Sequence, residues 1–168
     1  MTETRRIQVH HVAQNDPLAL PLLTELAVEY STRYERPFEE QFDALTTHPR
    51  RGVRPTARGG PCSSSPRTGE PVAGGGAFRR YDEHTAELKR IWTSSRHRRR
   101  GLGRIVLDEL EAEAVRRGYT RIYLTTGWRQ PEAVALYLAA GYTALFDPAV
   151  PAEEIGPHPF EKYPSASC

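Results

Sequence analysis

The chain has 168 residues, of which 38% are hydrophobic and 26% charged, and these values suit one globular domain spanning residues 1–168. A formal net charge of only +2 argues against a nucleic-acid-binding protein as a class. The two cysteines form no disulfide or metal-ligand pattern, and no apolar run is long enough to span a membrane. We therefore expect a cytoplasmic protein with no metal, nucleic-acid or membrane partner.

The chain begins with a predicted strand and two predicted helices. Alternation over residues 7–11 predicts the strand, and Asn15-Asp16-Pro17 is a helix-start signal. The helix is predicted to end near Pro37, and residues 39–45 should form a second helix. The apolar stripe of the first helix is Leu22, Leu23, Leu26, Ala27 and Tyr30.

Residues 50–70 follow no regular pattern. Their centre, residues 58–66, reads Arg-Gly-Gly-Pro-Cys-Ser-Ser-Ser-Pro without any apolar alternation, which predicts a loop. So long a loop inside a compact domain is unusual.

A hairpin is predicted for the next part of the chain. Residues 71–80 surround three glycines with apolar side chains, and residues 81–84 make a turn. Residues 86–93 then alternate as a strand. In a regular strand one face carries Leu88, Arg90 and Trp92, and the other carries Glu87, Lys89, Ile91 and Thr93.

A group of arginines and two glycines separates this strand from a helix. Apolar residues recur every four positions from Leu102 to Ala114, which predicts an amphipathic helix that stops at Gly118. Gly101 and Gly103 thus lie at the helix start, where the backbone can approach a ligand closely. Such a start has four unpaired amides and about half a positive charge, so we expect it to bind a polyanion such as a diphosphate.

Three elements are predicted in the remainder. Residues 119–126 alternate as a strand, Pro131 opens a helix that stops at Gly141, and residues 142–146 form a further strand. After residue 147 five prolines leave room for at most one short strand, near residues 160–162.

Three of these segments together resemble the GNAT superfamily of N-acetyltransferases. Arg98-x-x-Gly101-x-Gly103 resembles its Arg/Gln-x-x-Gly-x-Gly/Ala signature. Residues 87–92 resemble its fourth strand, and residues 130–142 resemble its second cofactor motif, with Gln130 where Asn is common.

The resemblance implies an α/β (α+β) fold, in which a mixed, mostly antiparallel central sheet splays around acetyl-CoA and is flanked by helices. Its best-marked core is residues 71–146. The family places a strand within residues 50–70; either that strand is lost or shortened here, or a reading-frame slip has replaced its residues.

The resemblance also implies an acetyl-CoA-dependent N-acetyltransferase that transfers an acetyl group directly to a primary amine of a small molecule. Main-chain amides near residues 91–93 are the expected oxyanion partners, because that strand edge pairs with the pantetheine arm in this fold. The implied acetyl-CoA-binding residues are Ile91, Trp92, Thr93, Arg98, Arg99, Arg100, Gly101, Leu102, Gly103, Arg104, Gln130 and Ala133.

Two side chains are candidates for proton transfer. An ammonium with a pKa near 10.4 is neutral in only about one molecule in 10³ at pH 7, so a base is needed, and Glu87 is the candidate. A salt bridge with Lys89 or an arginine is an equally good reading of Glu87; His84 and Asp82 are weaker alternatives. Tyr137 stands where the family carries its general acid, although an aromatic at helical spacing is more often core.

Other functions are also compatible with the sequence. An inactive acyl-CoA-binding sensor or scaffold would bind acetyl-CoA without turnover, and a protein N-terminal or lysine acetyltransferase would use a larger acceptor. A nucleic-acid patch over residues 96–104 would bind with steep salt dependence. The resemblance also allows a homodimer.

Overall fold

The computed structural model describes residues 9–11, 20–46, 62–64, 74–94 and 101–164. No helix in these ranges has the length and apolar character needed to cross a lipid bilayer. In chain order the elements are β1 (Val9–His11), α1 (Leu20–Tyr34), α2 (Phe38–Thr46), β2 (Cys62–Ser64), β3 (Gly74–Arg80), β4 (Thr85–Thr93), α3 (Leu102–Arg116), β5 (Arg121–Thr126), α4 (Pro131–Ala139), β6 (Thr143–Ala144), α5 (Ala152–Ile155) and β7 (His158–Lys162).

The strands form one seven-stranded sheet in the order β1-β2-β3-β4-β5-β7-β6. Every neighbouring pair is antiparallel except β4 and β5, which run parallel. The parallel pairing begins at Thr85 with Arg121 and ends at Leu88 with Leu124. Helices flank this sheet, so the expected mixed, mostly antiparallel α/β fold is confirmed.

A β-bulge changes the course of β4 just beyond this pairing. The register against β3 shifts between Gly75 and Ala77, and Arg90 has a left-handed backbone with φ of 58°. The extra residue reverses the alternation of the side chains that follow. Trp92 is consequently on the opposite face from Leu88, and the prediction that these two share a face is wrong.

The two faces of the sheet carry different helices. On the α3 face, Leu88 of β4 belongs to a core cluster with α3, α4, β5 and β7, and Ile91 packs against that cluster. On the α1 face, Trp92 is buried among the apolar residues of α1. Alternation before the bulge assigns Glu87 and Lys89 to the α1 face.

The glycines of β3 allow close packing around this strand. A Cβ added at Gly76 would lie 2.8 Å from Leu110 Cδ1, and one added at Gly74 would lie 2.8 Å from the Trp92 carbonyl oxygen. Neither gap accommodates a larger side chain without displacement. Gly76 therefore lets α3 approach β3, and Gly74 does the same for the end of β4.

Most predicted elements are confirmed, within a few residues at their ends. The first strand, the first two helices, the hairpin, and the helices that begin at 102 and 131 are all present. Gly118 and Gly141 follow their helices with φ of 90° and 88°, values that suit a glycine helix stop. The helix-start signal at residues 15–17 lies outside the described residues.

Three predictions need correction. The loop predicted for residues 58–66 is wrong at its centre, because Cys62–Ser64 form the strand β2, which pairs with both β1 and β3, so the family strand is not lost. The strand predicted over residues 142–146 is only Thr143–Ala144. The C-terminal part contains a short helix, α5, as well as the expected strand, and β7 lies between β5 and β6.

A buried polar network joins α3 to the last strand. Lys162 Nζ donates to Glu111 Oε2 at 2.9 Å and to the Ala140 carbonyl at 2.8 Å, and the Tyr142 hydroxyl donates to Glu111 Oε1 at 2.9 Å. Burial raises the pKa of Tyr142, and the Glu111 carboxylate raises it further. The network therefore fixes β7 to the helix that carries the signature glycines.

Glu111→Leu should reduce the free energy of unfolding by about 3 kcal/mol, because Lys162 and the Tyr142 hydroxyl would lose their buried partner. Glu111→Leu combined with Lys162→Met should cost less than the single change. Glu113→Gln is the control: its ion pairs lie within α3, and its loss should cost less than about 1 kcal/mol. Urea unfolding measures all three; equal losses for Glu111→Leu and Glu113→Gln would contradict the assignment.

Candidate active site

The start of α3 provides unpaired main-chain donors. Gly101 is its N-cap with φ of 71°, a conformation that glycine adopts freely, and it offers no side-chain hydrogen bond to the first turn. A Cβ built on Gly101 would meet no atom of the described residues within 4 Å. The first-turn amides can therefore bind an anion, as the sequence predicts. Arg98, Arg99 and Arg100 lie outside the described residues.

The next residues of α3 pack against α4 and the end of β4. Leu102 is buried, and a Cβ on Gly103 would lie 3.0 Å from Leu136 Cδ2 and 3.8 Å from Thr93 Oγ1. Arg104 donates to Asp108 Oδ1 at 3.0 Å and to the Ala139 carbonyl at 3.2 Å. These contacts hold the start of α3 beside the last residues of β4.

β4 has an open edge beside this helix start. Trp92 pairs with Gly75 and Thr93 with Gly74, on the β3 side only. On the β5 side the described pairing stops at Leu88, so the main chain of residues 89–93 faces a gap between the two strands. An extended ligand can pair with this edge as an added strand would.

Gln130 and Ala133 lie on the other side of the gap, where β5 leads into α4. The Gln130 side-chain oxygen accepts from Thr126 Oγ1 at 3.0 Å and from the Gly127 amide at 3.3 Å. Ala133 is half-buried and packs against the core cluster. Gln130 thus shapes the loop before α4, and its contact with acetyl-CoA remains a prediction.

Tyr137 comes from α4 and is buried. Its ring packs on Phe160 and Tyr142, with centroid distances of 5.5 and 5.9 Å. Burial raises the pKa of Tyr137, and nearby Tyr30 raises it further. Burial likewise raises the pKa of Tyr30, to about 12.

Glu87 is buried on β4 and is held by two cations. Its Oε2 accepts from Arg79 Nε at 2.6 Å, and its Oε1 pairs with Lys89 Nζ at 2.7 Å. The salt-bridge reading of Glu87 is therefore correct, and its role as a base remains a prediction. The alternatives His84 and Asp82 lie in the turn before β4, at the end of the strand away from the gap. There the Asp82 carboxylate accepts hydrogen bonds from the His84 and Thr85 amides.

A contact between α1 and the loop after β5 was not anticipated from the sequence. Arg33 Nη1 donates to the Arg129 carbonyl at 2.8 Å, and Arg129 Nη1 donates to the Arg33 carbonyl. Arg33 also pairs with Glu132. The Tyr34 hydroxyl lies so close to Gly127 that any Cβ there would overlap it. We call Arg33, Tyr34, Gly127, Arg129 and Glu132 the α1 clamp. Its α1 residues and its loop residues are more than 90 positions apart in the sequence, so no local sequence pattern predicts their contact.

Comparison with known proteins agrees with this geometry. The profile of the acetyltransferase (GNAT) family matches residues 21–142, which is most of the chain. The chain belongs to the GNAT family. GNAT enzymes use acetyl-CoA as the acyl donor, and the helix start and open strand edge described above fit that molecule.

Several GNAT relatives and folds are similar to the chain. The uncharacterized N-acetyltransferase YsnE of Bacillus subtilis (strain 168) is 41% identical over 59 residues, which are 35% of this chain and 39% of YsnE. The match thus spans less than half of that relative. Salmonella typhimurium yncA, solved with its cofactor acetyl-CoA, has a TM-score of 0.62 at 15% identity, covering 97% of this chain and 96% of its own. A GNAT acetyltransferase from Staphylococcus aureus Mu50 has a TM-score of 0.69 at 15% identity, covering 94% and 99%.

Gly127→Ala should lower the free energy of unfolding by about 1–3 kcal/mol, because the added methyl group must displace Tyr34 from the α1 clamp. Tyr34→Phe removes the overlapping hydroxyl. The double variant should therefore be more stable than the sum of the two single effects predicts. Urea unfolding of the four proteins gives the coupling, and strictly additive effects would contradict the contact.

Proposed function

We propose that this GNAT protein catalyses direct transfer of the acetyl group of acetyl-CoA to a primary amine of a small molecule. The observation that carries the proposal is the open edge of β4 beside the start of α3, with α4, the helix that carries the buried Tyr137, packed against that helix start. The strand edge would align the acyl donor, the helix start would bind the diphosphate, and Tyr137 would supply a proton. A thioester supplies the activated acyl group.

The main chain performs the binding steps. The first-turn amides of α3 would hold the diphosphate, with the helix dipole favouring its charge. Amides on the open edge of β4, around residues 91–93, would align the pantetheine arm and donate to the acyl oxygen as negative charge develops there. Because β3 fixes the other edge of β4, these donors are positioned before any ligand arrives.

Tyr137 would act as the general acid. Its raised pKa keeps the phenol protonated at neutral pH, so it can donate to a departing thiolate. Its ring is fixed between α4 and β7 by Phe160 and Tyr142, which limits its rotation. Burial keeps the hydroxyl protonated until a thiolate is present to accept the proton.

Glu87 would accept a proton from the incoming amine, directly or through a water. Two ion pairs occupy both of its oxygens in this arrangement, which supports proton transfer through a water rather than direct contact. Glu87→Gln separates two roles. If Glu87 is the base, kcat should fall for every amine, whereas a role in holding its two cations would change KM instead.

Tyr137→Phe should lower kcat at least tenfold while leaving the dissociation constant of acetyl-CoA within about threefold of wild type, because the hydroxyl is needed only during transfer. Thiol release measures kcat over a panel of amines, and calorimetry measures binding. Tyr119→Phe is the control, a partly buried tyrosine whose ring packs on Phe78. Normal binding without turnover on any amine would favour a sensor, and loss of acetyl-CoA binding by the wild type would contradict the proposal.

The alkaline side of the pH profile tests the protonation state of Tyr137. Its pKa lies above the usual value near 10, so the proton-donating form persists as pH rises to 10. We expect kcat, corrected for uncatalysed thioester hydrolysis, to show no loss between pH 8 and 10 attributable to a phenol. A decline in that window that disappears in Tyr137→Phe would show an unshifted pKa.

A further inference from the structure

We propose that the amine acceptor carries a carboxylate, and that Lys89, held in place by Glu87 together with Arg79, binds it. This inference rests on the proposed acetyl transfer and names its class of substrate: an amino acid or a similar amino carboxylate.

The position of Lys89 makes it the first side chain beyond the strand pairing. Leu88 forms the last pair with Leu124, so Lys89 stands where β4 and β5 separate. It lies on the α1 face, opposite the face that carries α3 and its diphosphate site. An amine that attacks an acyl group held in the gap approaches from this opposite side, and it meets Lys89 there.

Strand register aligns Glu87 with neighbours on three other strands. Glu87 is the register partner of Arg79 on β3 and of Tyr123 on β5. Tyr123 is in turn the register partner of Glu161 on β7. Glu161 is itself occupied by Arg121, whose Nε donates to Glu161 Oε2 at 2.7 Å. This outer pair is neutral and leaves the charge of the inner group unchanged.

The inner group has an excess of positive charge. Glu87 contributes one negative charge, whereas Arg79 and Lys89 contribute two positive charges. Arg79 Nε and Nη2 both contact Glu87 Oε2 at 2.6 Å, and Lys89 reaches Oε1. The Arg79 and Lys89 side chains retain 32% and 30% exposure, against 5% for Glu87. Among these three side chains one positive charge is thus in excess, and it lies on groups that a ligand can reach.

This arrangement suits a carboxylate better than a second ammonium. An ammonium has three donors, and Lys89 uses one on Glu87, so others remain for a ligand oxygen. Glu87 also holds the Lys89 side chain in place before a ligand binds, which reduces the conformational entropy that this side chain loses on binding. A polyamine would bring further positive charge to the same place and be repelled.

The positive charge also assists the reaction itself. Like charge lowers the pKa of an ammonium and so raises the fraction of acceptor present as the neutral amine. The attraction between the substrate carboxylate and the two cations keeps the substrate bound despite the repulsion of its ammonium group. Binding of the substrate carboxylate and deprotonation of the substrate amine therefore both depend on Arg79 and Lys89.

The experiment compares amino acids with their own amides. Thiol release at saturating acetyl-CoA gives kcat and KM for glycine, L-phenylalanine, L-glutamate and L-methionine, and for the four corresponding amides. We expect kcat/KM to be at least tenfold higher for the preferred amino acid than for its amide. Lys89→Met should reduce that ratio at least tenfold, with the loss mainly in KM.

Arg80→Gln is the charge-matched control. Arg80 is exposed at the end of β3, next to Arg79 in sequence but alternating to the other face, and its loss removes the same unit charge. It should leave the ratio unchanged. If amides react as well as amino acids, or if both lysine and arginine variants shift the ratio equally, the carboxylate assignment is overturned while acetyl transfer stands.

A binding measurement covers the case in which no member of the panel is acetylated. With free CoA present, calorimetry compares N-acetyl-L-phenylalanine and N-acetyl-L-glutamate with their amides on wild type and Lys89→Met. Tighter binding of the carboxylates that is lost in Lys89→Met supports recognition by Lys89 even though the proposed transfer has failed. Equal binding of acids and amides, or no binding of either, overturns it.

Discussion

The separation of β4 from β5 is the constraint on which the rest of the structure depends. Two parallel strands normally continue their ladder, and leaving main-chain donors without partners costs free energy unless water or a ligand binds them. Here the pairing ends after Leu88, and a bulge at Arg90 turns the remainder of β4 aside. The described pairing of β4 with β5 does not extend to residues 89–93, so the irregularity that weakens the sheet also leaves the strand edge at which we propose that acetyl-CoA binds.

The gap is held open from both sides by packing rather than by its own residues. On one face α3 approaches closely because β3 carries glycines, and its position is fixed by the network of Glu111, Lys162 and Tyr142. On the other face the α1 clamp ties α1 to the loop after β5. The two faces of the sheet beside the gap thus have separate supports, and changes in one need not disturb the other.

Sequence reasoning succeeded where a pattern is local. The period-four apolar residues of α3 identified the helix, and the glycine signature identified the family. It failed where partners are remote or where the sequence carries no pattern: Cys62–Ser64 has no apolar alternation, yet it forms a strand that pairs with β1 and β3. The reversed face of Trp92 follows from a single inserted residue. The ion pairs of Glu87 could be named only as an alternative, because Arg79 reaches it across a hairpin.

The position of β7 has a consequence for synthesis on the ribosome. β7 inserts between β5 and β6, two strands that precede it in the chain. Until residues 158–162 have emerged, β5 presents an unpaired edge and Tyr137 lacks the Phe160 ring against which it packs. Such an edge is a template for pairing with other chains. The nascent protein should therefore depend most on chaperones in the interval after β5 has emerged and before β7 can pair with it.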